Sequence, residues 1–248
     1  MQSNASLQPP LPDIWTTAYA DLVRIVREML PVLAIICALY VVTAILWFVA
    51  LLLVTTGVGR AVMHFLLLVG CAYVAAPYFV ALHRYIAFDE IRWIPRRDAN
   101  GPAADVYTAW AAYSQLILLG PSAVVMLLGD VGLPALGGLM FLPLQILSWV
   151  VLVRLATVLP TAALSPDKAT LQRAWAETRG QFWHVFFATT TPTIPAYTAL
   201  LVLLQAAAAR SIPGVPWMLM ALVTLLAVQL IPLVVSTRIY LRLRDRRA

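Results

Sequence analysis

Residues 31–53 read PVLAIICALYVVTAILWFVALLL, a continuous apolar run without one charged side chain. A bilayer core is about 30 Å thick, and a helix needs about 20 apolar residues to cross it. Comparable runs follow at residues 61–83, 110–129, 133–153, 182–208 and 217–237. Their continuity favours helices, because barrel strands would alternate apolar and polar residues. The sequence therefore predicts an all-α, polytopic membrane bundle of about six transmembrane helices.

The overall composition supports a membrane environment. Hydrophobic residues make up 62% of the 248 residues and charged residues 11%, whereas soluble domains average roughly 45–50% and about 25%. The net charge of +6 is carried by basic residues in short segments between the apolar runs. A nucleic-acid-binding protein would cluster them on one folded polar face. Nucleic acid is therefore not an expected partner.

Short connections indicate how the runs are paired. Three of them, TTGVGR at 55–60, GDVGLP at 129–134 and ARSIPGVP at 209–216, carry the glycine and proline of tight turns. Helices joined so closely must run antiparallel. We expect one transmembrane domain, residues 1–248, built of hairpins at about 31–84, 106–154 and 182–238, after a disordered tail at residues 1–12.

The basic residues predict the orientation. Fifteen of the 17 lie before the first run, in the two longer loops or after the last run, and only Arg60 and Arg210 lie in the short turns. By the positive-inside rule, both termini and the longer loops are cytoplasmic. We expect a multi-pass protein of the cell inner membrane.

Residues 13–30 have the pattern of an amphipathic interfacial helix. One face carries Trp15, Tyr19, Leu22, Val23, Val26, Met29 and Leu30, and the other carries Thr17, Asp21, Arg24 and Glu28. We interpret the segment as an anchor that leads into the first membrane helix, with a lipid or partner sensor as the alternative. A second interfacial helix is predicted at residues 165–180, and Gly180 allows a break after it.

A weak threefold repeat relates the hairpins. An aromatic residue stands at or before the start of each one (Tyr19, Trp110 and Trp175), and an arginine ends each one (Arg84, Arg154 and Arg238). The first and last units also share a proline before that arginine, at Pro77 and Pro232. The repeat places one arginine per hairpin at the predicted cytoplasmic edge.

These three arginines are the main candidate site. If they converge, their guanidinium groups would bind an anionic headgroup or acidic partner groups. Acidic side chains able to pair with them are Asp21, Asp89, Glu90 and Glu177. The alternative is that each arginine snorkels separately to lipid headgroups as an ordinary topology signal.

The segment 189–195 is the candidate for a broken, polar helix. It contains Thr189, Thr190, Thr191, Pro192 and Pro195, and its prolines free backbone carbonyls inside an apolar run. Broken helices mark substrate sites in some transporters. A transport path would require this segment and the glutamines of the other runs to face one another: Gln115, Gln145, Gln205 and Gln229. A structural kink is the alternative.

Motifs for catalysis, cofactors and metals are missing from the sequence. It contains no HExxH, GxSxG, Walker or dinucleotide-binding pattern. His64 and His83 are expected on opposite sides of the membrane, His83 as an interfacial donor. Cys37 and Cys71 lie inside apolar runs without zinc-type spacing. We therefore expect a non-enzymatic protein without a cofactor or metal, whose partners are membrane lipids. A membrane protein or a second copy of the chain are further candidate partners.

One region resembles a known family. The pattern consists of Val153-Arg154-Leu155, Leu159-Pro160, Ser165-Pro166, Leu171, Ala174-Trp175, Thr178-Arg179-Gly180 and Phe182-Trp183, together with Ala81-Leu82-His83-Arg84 and Glu90. It is similar to that of the YciC-like bacterial membrane proteins, which are related to the membrane domain of glycerophosphoryl diester phosphodiesterase. The resemblance implies a six-helix inner-membrane domain, without the separate catalytic domain of the phosphodiesterase.

Two functions remain open from the sequence. The first is a non-enzymatic envelope protein that binds lipid or a membrane partner. The second is a transporter or channel for a small or amphipathic solute. A water-filled path with a polar lining would favour the second.

Overall fold

A computed structural model describes residues 11–93, 95, 97–208 and 214–245. Across these residues the chain is helical, and none of them forms a strand. Five of the helices are long and apolar enough to cross a membrane. The predicted all-α membrane protein is thus confirmed in class, with five spans of sufficient length where the sequence suggested about six.

The chain forms ten α-helices over the described residues. They are α1 (Leu11–Glu28), α2 (Leu30–Leu53), α3 (Gly57–Phe88), α4 (Arg97–Asp130), α5 (Pro134–Arg154), α6 (Val158–Leu164), α7 (Leu171–Glu177), α8 (Phe182–Thr190), α9 (Ile194–Ala208) and α10 (Gly214–Asp245). Two short 3-10 turns, Pro166–Lys168 and Thr191–Thr193, precede α7 and α9.

Three helices are longer than the membrane requires. Helices α3, α4 and α10 contain 32, 34 and 32 residues, or roughly 50 Å each at 1.5 Å per residue. They extend beyond the predicted apolar runs, and α4 begins well before residue 110. Long extensions of this kind carry polar side chains past the hydrocarbon layer.

The ends of α3 show how local chemistry sets a helix boundary. At the start, the Thr56 hydroxyl accepts a hydrogen bond from the Gly59 amide at 3.1 Å, as a helix N-cap does. At the end, Asp89 takes up a left-handed conformation with φ of 55°. Aspartate tolerates that conformation better than most residues. The chain therefore turns sharply after Phe88.

The predicted fifth span is divided in two. Helix α8 ends at Thr190, and α9 starts at Ile194 after the 3-10 turn. Pro192 has no amide hydrogen, and its ring crowds the carbonyl four residues earlier, which weakens the α-helical ladder at this point. Neither piece alone reaches the length of a membrane crossing, which is why the long spans number five.

Packing joins neighbours along the chain. Helices α2 and α3, α4 and α5, and α9 and α10 lie in contact, as do α3 and α4. The amides of Gly57 and Val58, at the start of α3, donate to the Asp130 carboxylate at the end of α4, at 3.1 and 2.9 Å. Helices α3 and α4 therefore run antiparallel, and we call this end of the bundle the Asp130 end.

The buried core lies at the opposite end. In α3 the buried residues fall between Ala75 and Ile86, and in α10 between Val228 and Leu243. The short helix α6, which the sequence did not predict, is almost wholly buried there and contacts α3, α4 and α10. We call this end the charged end. It comprises α1, the C-terminal thirds of α3 and α10, and residues 154–181.

Two predicted boundaries are corrected. The single helix expected at 165–180 is replaced by the Pro166–Lys168 turn and the seven-residue α7. Gly180, with φ of +76°, does provide the expected break before α8. Residues 1–10 of the predicted tail lie outside the described residues, as do 209–213 of the last short turn, but residues 11 and 12 already belong to α1.

Helix α1 is amphipathic as predicted. Its residues buried against the rest of the protein are Ile14, Ala18, Asp21 and Ile25, whereas Tyr19, Val23 and Val26 of the predicted apolar face are exposed. The sequence interpretation placed Asp21 on the polar face of this helix. A specific partner on α10 instead holds Asp21 inside.

Candidate functional site

The charged end is held together by polar contacts between helices. The strongest joins the first and last helices, because the Arg238 guanidinium on α10 donates two hydrogen bonds to the Asp21 carboxylate on α1. The Asp21 side chain is 6% exposed and that of Arg238 25%. A buried carboxylate requires such a partner. The predicted pairing of Asp21 with a hairpin-ending arginine is thus observed for Arg238.

Directly beside this ion pair, α3 and α10 meet through His83 and Thr237. The His83 Nδ1 and Thr237 Oγ1 atoms lie 2.7 Å apart, and both side chains are buried. Thr237 also donates to the Leu233 carbonyl at 2.7 Å. Since the Thr237 hydroxyl donates its hydrogen to Leu233, the imidazole Nδ1–H of His83 is the donor in the bond between the two side chains. His83 was expected to be an interfacial donor, and the structure shows that its ring is buried against α10.

The two residues that meet have equivalent positions in the repeat. His83 precedes Arg84, and Thr237 precedes Arg238. The first and third units therefore touch one position before the arginine that ends each. The comparison of the repeat units in the sequence considered the arginines but not the residue before each of them. The same comparison already placed His83 and Thr237 at equivalent positions.

The end of α3 also receives the C-terminal part of α1. Arg24 donates to Asp89 at 2.8 Å and lies 5.4 Å from the centre of the Tyr85 ring. The Tyr85 hydroxyl donates to Glu28 at 2.7 Å. The hydrogen bond to Asp89 raises the pKa of Arg24 above its ordinary value. Helix α1 is thereby fixed to both α3 and α10.

Arg84 has its own partner in the loop after α3. Its Nε donates to Glu90 at 2.7 Å, and Arg92 donates to the other Glu90 oxygen at 2.6 Å. The hydrogen bond from Arg84 is the main reason that the pKa of Glu90 lies below its ordinary value, and Arg92 adds to it. Two cations thus share one carboxylate here.

Arg154, at the end of α5, differs from the other two arginines. Its Nη1 donates to the Thr178 carbonyl at 2.7 Å. The Thr178 hydroxyl lies 3.0 Å from the Ala174 carbonyl and 3.3 Å from the Arg154 carbonyl. The guanidinium lies over the rings of Trp175 and Phe182, 5.4 and 5.1 Å from their centres. Among the described residues, no carboxylate lies within ion-pair distance of it. Its charge is therefore not neutralised by a neighbouring acid.

Glu177 is placed with a different arginine from the one suggested by the repeat. It is buried, and Arg173, one turn earlier on α7, donates to it at 2.8 Å. The i, i+4 spacing makes this pair local. Consequently each of the hairpin-ending arginines has a separate partner: Arg84 has Glu90, Arg154 has a carbonyl and two rings, and Arg238 has Asp21.

The broken helix at residues 189–195 accepts α1 instead of lining a path. Pro192 frees the carbonyl of Ala188, and the indole of Trp15 donates to that carbonyl at 3.2 Å. One turn further along α1, the Tyr19 hydroxyl donates to the Pro192 carbonyl at 3.4 Å. The Ala188 carbonyl, which Pro192 frees, and the Pro192 carbonyl thus serve as docking points for the first helix.

The threonines of this segment bond to their own helix. Thr189 donates to Val185 at 2.8 Å, and Thr193 donates to Thr189 at 2.6 Å. Thr190 is half-buried, while Thr191 and Pro195 are exposed. None of the hydrogen bonds described for the chain joins this segment to Gln115, Gln145, Gln205 or Gln229.

An apolar groove lies between α4 and α5. It has a volume of about 400 Å³ and is bordered by Leu116, Ile117, Gly120, Pro121, Val124, Leu144, Leu147, Ser148 and Val151. Ser148 is the single hydroxyl in its wall. Such a groove suits a hydrocarbon chain and not a hydrated solute.

No cluster of three or more metal-ligating side chains occurs among the residues that the structure describes. The chain matches no protein-family model, no curated protein and no solved structure. The function must therefore be argued from the charged end and the groove.

Proposed function

We propose that this protein is a non-enzymatic, multi-pass protein of the cell inner membrane that binds an anionic phospholipid headgroup at its charged end. The observation that supports the proposal is the environment of Arg154. Arg154 alone of the three hairpin-ending arginines has no carboxylate partner within the described chain, while Arg84 and Arg238 have Glu90 and Asp21.

The surroundings of Arg154 fit an anionic headgroup. Guanidinium carries five donors, and a single one is taken up by the Thr178 carbonyl. Trp175 is 44% exposed beside it, and an indole at this level is typical of the membrane–water boundary. A phosphate oxygen would restore charge balance at a partly buried cation. The predicted threefold site is thereby reduced to one binding arginine and two that are occupied by ion pairs.

The proposed orientation in the membrane rests on the basic residues of the same end. Basic residues concentrate where α3, α5 and α10 finish, and the positive-inside rule favours the cytoplasm for that side. The bundle would then comprise three antiparallel hairpins with both termini inside. The residues similar to the YciC-like proteins, including His83, Arg84, Arg154 and Thr178, lie in this same end, which supports membership of that family as part of the proposal.

Binding is tested by native mass spectrometry of the full chain in detergent with dioleoyl phosphatidylglycerol and dioleoyl phosphatidylcholine. We expect the wild type to retain more of the anionic lipid. An arginine near an anionic surface contributes about 1 kcal/mol, so Arg154→Gln should lower that retention about fivefold.

Arg60→Gln is the matched control, because Arg60 also donates to a backbone carbonyl, that of Val54 at 2.8 Å, but at the Asp130 end. Equal losses in the two variants would contradict the proposal. Orientation is tested separately with a reporter that is active only outside the cytoplasm. It should be active at Gly57 and inactive at Gly101 and Ala248, and the reverse pattern would invert the topology.

Transport of an amphipathic solute is the second candidate function, and the α4–α5 groove is the observation that favours it. A transported solute would move through the groove to both sides of the membrane. Uptake of a labelled amphiphile into vesicles that contain the protein, absent from empty vesicles, would establish this function in place of the first.

A further inference from the structure

The groove between α4 and α5 leads toward Arg154. On α5 its walls run from Leu144 to Val151, and Arg154 lies one helical turn beyond Val151. On α4 they run from Leu116 to Val124 in the opposite direction. At 1.5 Å per residue the groove is roughly 12 Å tall. One leaflet of a bilayer core is about 15 Å deep, so the groove covers most of a leaflet from the arginine toward the membrane centre.

The shape of the groove comes from two residues of α4. Gly120 has no side chain, and a Cβ placed there would meet no atom within 4 Å. Pro121, the next residue, removes one backbone hydrogen bond inside the helix and allows α4 to bend. Together they open a gap between two helices that otherwise pack along their length.

The groove meets a buried apolar cluster at the charged end. Ile117 and Val151 pack against the residues of this cluster, Leu155, Val158 and Ala174. Trp110 joins the same cluster and donates to the Ala169 carbonyl at 3.2 Å. A hydrocarbon chain in the groove would therefore contact α6 and α7 at the end where Arg154 lies.

We propose that the groove holds one acyl chain of the anionic phospholipid whose phosphate contacts Arg154. This inference rests on the proposed function and adds the site of the hydrocarbon. The walls are apolar, and the opening lies between two membrane-spanning helices. At the headgroup end stands Arg154, which among the described residues is the one hairpin-ending arginine without a carboxylate partner. A detergent tail or a lipid bound by hydrocarbon alone would not need that charge.

The test fills the groove without altering the arginine. Gly120→Leu places a side chain in the open space, and leucine is a better helix former than glycine, so the helix is expected to persist. Gly70→Leu is the control, since Gly70 lies in α3, is exposed and also has no atom within 4 Å of an added Cβ. Both variants are examined by native mass spectrometry, with thermal unfolding in detergent to show that they fold.

With dioleoyl phosphatidylglycerol, we expect Gly120→Leu to lose retention at least as far as Arg154→Gln does, and Gly70→Leu to behave as wild type. Dihexanoyl phosphatidylglycerol has the same headgroup but chains too short to fill the groove, so its binding should depend on Arg154 and not on Gly120. Retention of the dioleoyl lipid by Gly120→Leu at the wild-type level would overturn the acyl-chain site while leaving the headgroup proposal intact. If Arg154→Gln also retains it at that level, both proposals fail.

Discussion

The two ends of the bundle are built from similar helices but are held together differently. At the charged end, α1, α3 and α10 are joined by the Asp21–Arg238 ion pair, the buried His83–Thr237 contact and the Arg24–Asp89 pair. At the Asp130 end, one carboxylate accepts from two amides, and apolar side chains such as Leu52 and Leu53 are exposed.

The difference follows from the solvent. In lipid an exposed leucine costs little, because the surrounding acyl chains are as apolar as a protein core. Helices therefore gain little by burying apolar faces against each other. Polar groups that are buried need hydrogen-bond partners, so the position of a few of them decides which helix surfaces meet.

The largest effect is expected from Arg238→Gln. The change leaves the buried Asp21 carboxylate without its cation, and breaking a buried ion pair costs about 3–5 kcal/mol. Since a quarter of the Arg238 side chain is exposed, we expect about 3 kcal/mol of lost unfolding free energy in detergent micelles. Arg244→Gln on the same helix breaks an exposed pair with Asp245, 3.7 Å long, and should cost less than about 0.5 kcal/mol. Equal losses would show that the charged end is not specially stabilised.

Thr237→Val should have the next largest effect. The substitution keeps the shape of the side chain but removes the oxygen that the His83 imidazole contacts, leaving a second buried nitrogen of that ring unsatisfied. The expected cost is about 2 kcal/mol, measured by the same unfolding experiment. Thr224→Val changes a hydroxyl that bonds only to the Met220 carbonyl of its own helix. A comparable loss there would attribute the effect to threonine in general.

Asp130→Ala probes the opposite end. It removes the acceptor for the Gly57 and Val58 amides, and loss of a helix cap costs about 1 kcal/mol. Hydrogen exchange should quicken in the first turn of α3 and stay unchanged near His83. Asp167→Ala, an exposed carboxylate elsewhere, serves as control. Faster exchange at both ends of α3 would mean that the ends are coupled and the comparison fails.

The smallest effect is a pH dependence at Glu90. Its folded pKa lies below the unfolded value because Arg84 donates to the carboxylate, so it stabilises the fold above about pH 4.3. That contribution is lost as the pH falls through the lower folded pKa. For a partly exposed pair it amounts to less than about 1 kcal/mol. In Glu90→Gln the stability difference between pH 6 and pH 3 should shrink by this amount, and an unchanged difference would assign the acid sensitivity to other carboxylates.

The sequence predicted the class of fold well because a long apolar run in lipid commonly forms a helix, which satisfies its own backbone hydrogen bonds. Helices α2 and α5 begin and end within one residue of the runs at 31–53 and 133–153. The run at 182–208 was less well predicted. The hydrophobic composition describes the run as a whole, whereas Pro192 interrupts the helix at a single position.

The site was predicted in its residues but not in its partners. Charge and repeat spacing identified Arg84, Arg154 and Arg238, and the pairing of two of them with acids is observed. Spacing alone did not indicate that Arg154 lacks an acid, because that depends on Glu177 turning toward Arg173. The buried His83–Thr237 contact joins residues 154 positions apart, and only the packing of α3 on α10 brings them together.

The contact between Asp21 and Arg238 also sets the order in which the chain can be completed. The two residues are 217 positions apart, and a ribosome adds about 5–20 residues per second. Asp21 therefore emerges roughly 10 to 40 s before its arginine exists. During synthesis α1 can dock on α3 and on the Ala188 carbonyl before α10 exists, but Asp21 has no cation until the final helix is made. A nascent chain stalled after α9 would therefore hold an acidic group at a site that is completed only by the last helix.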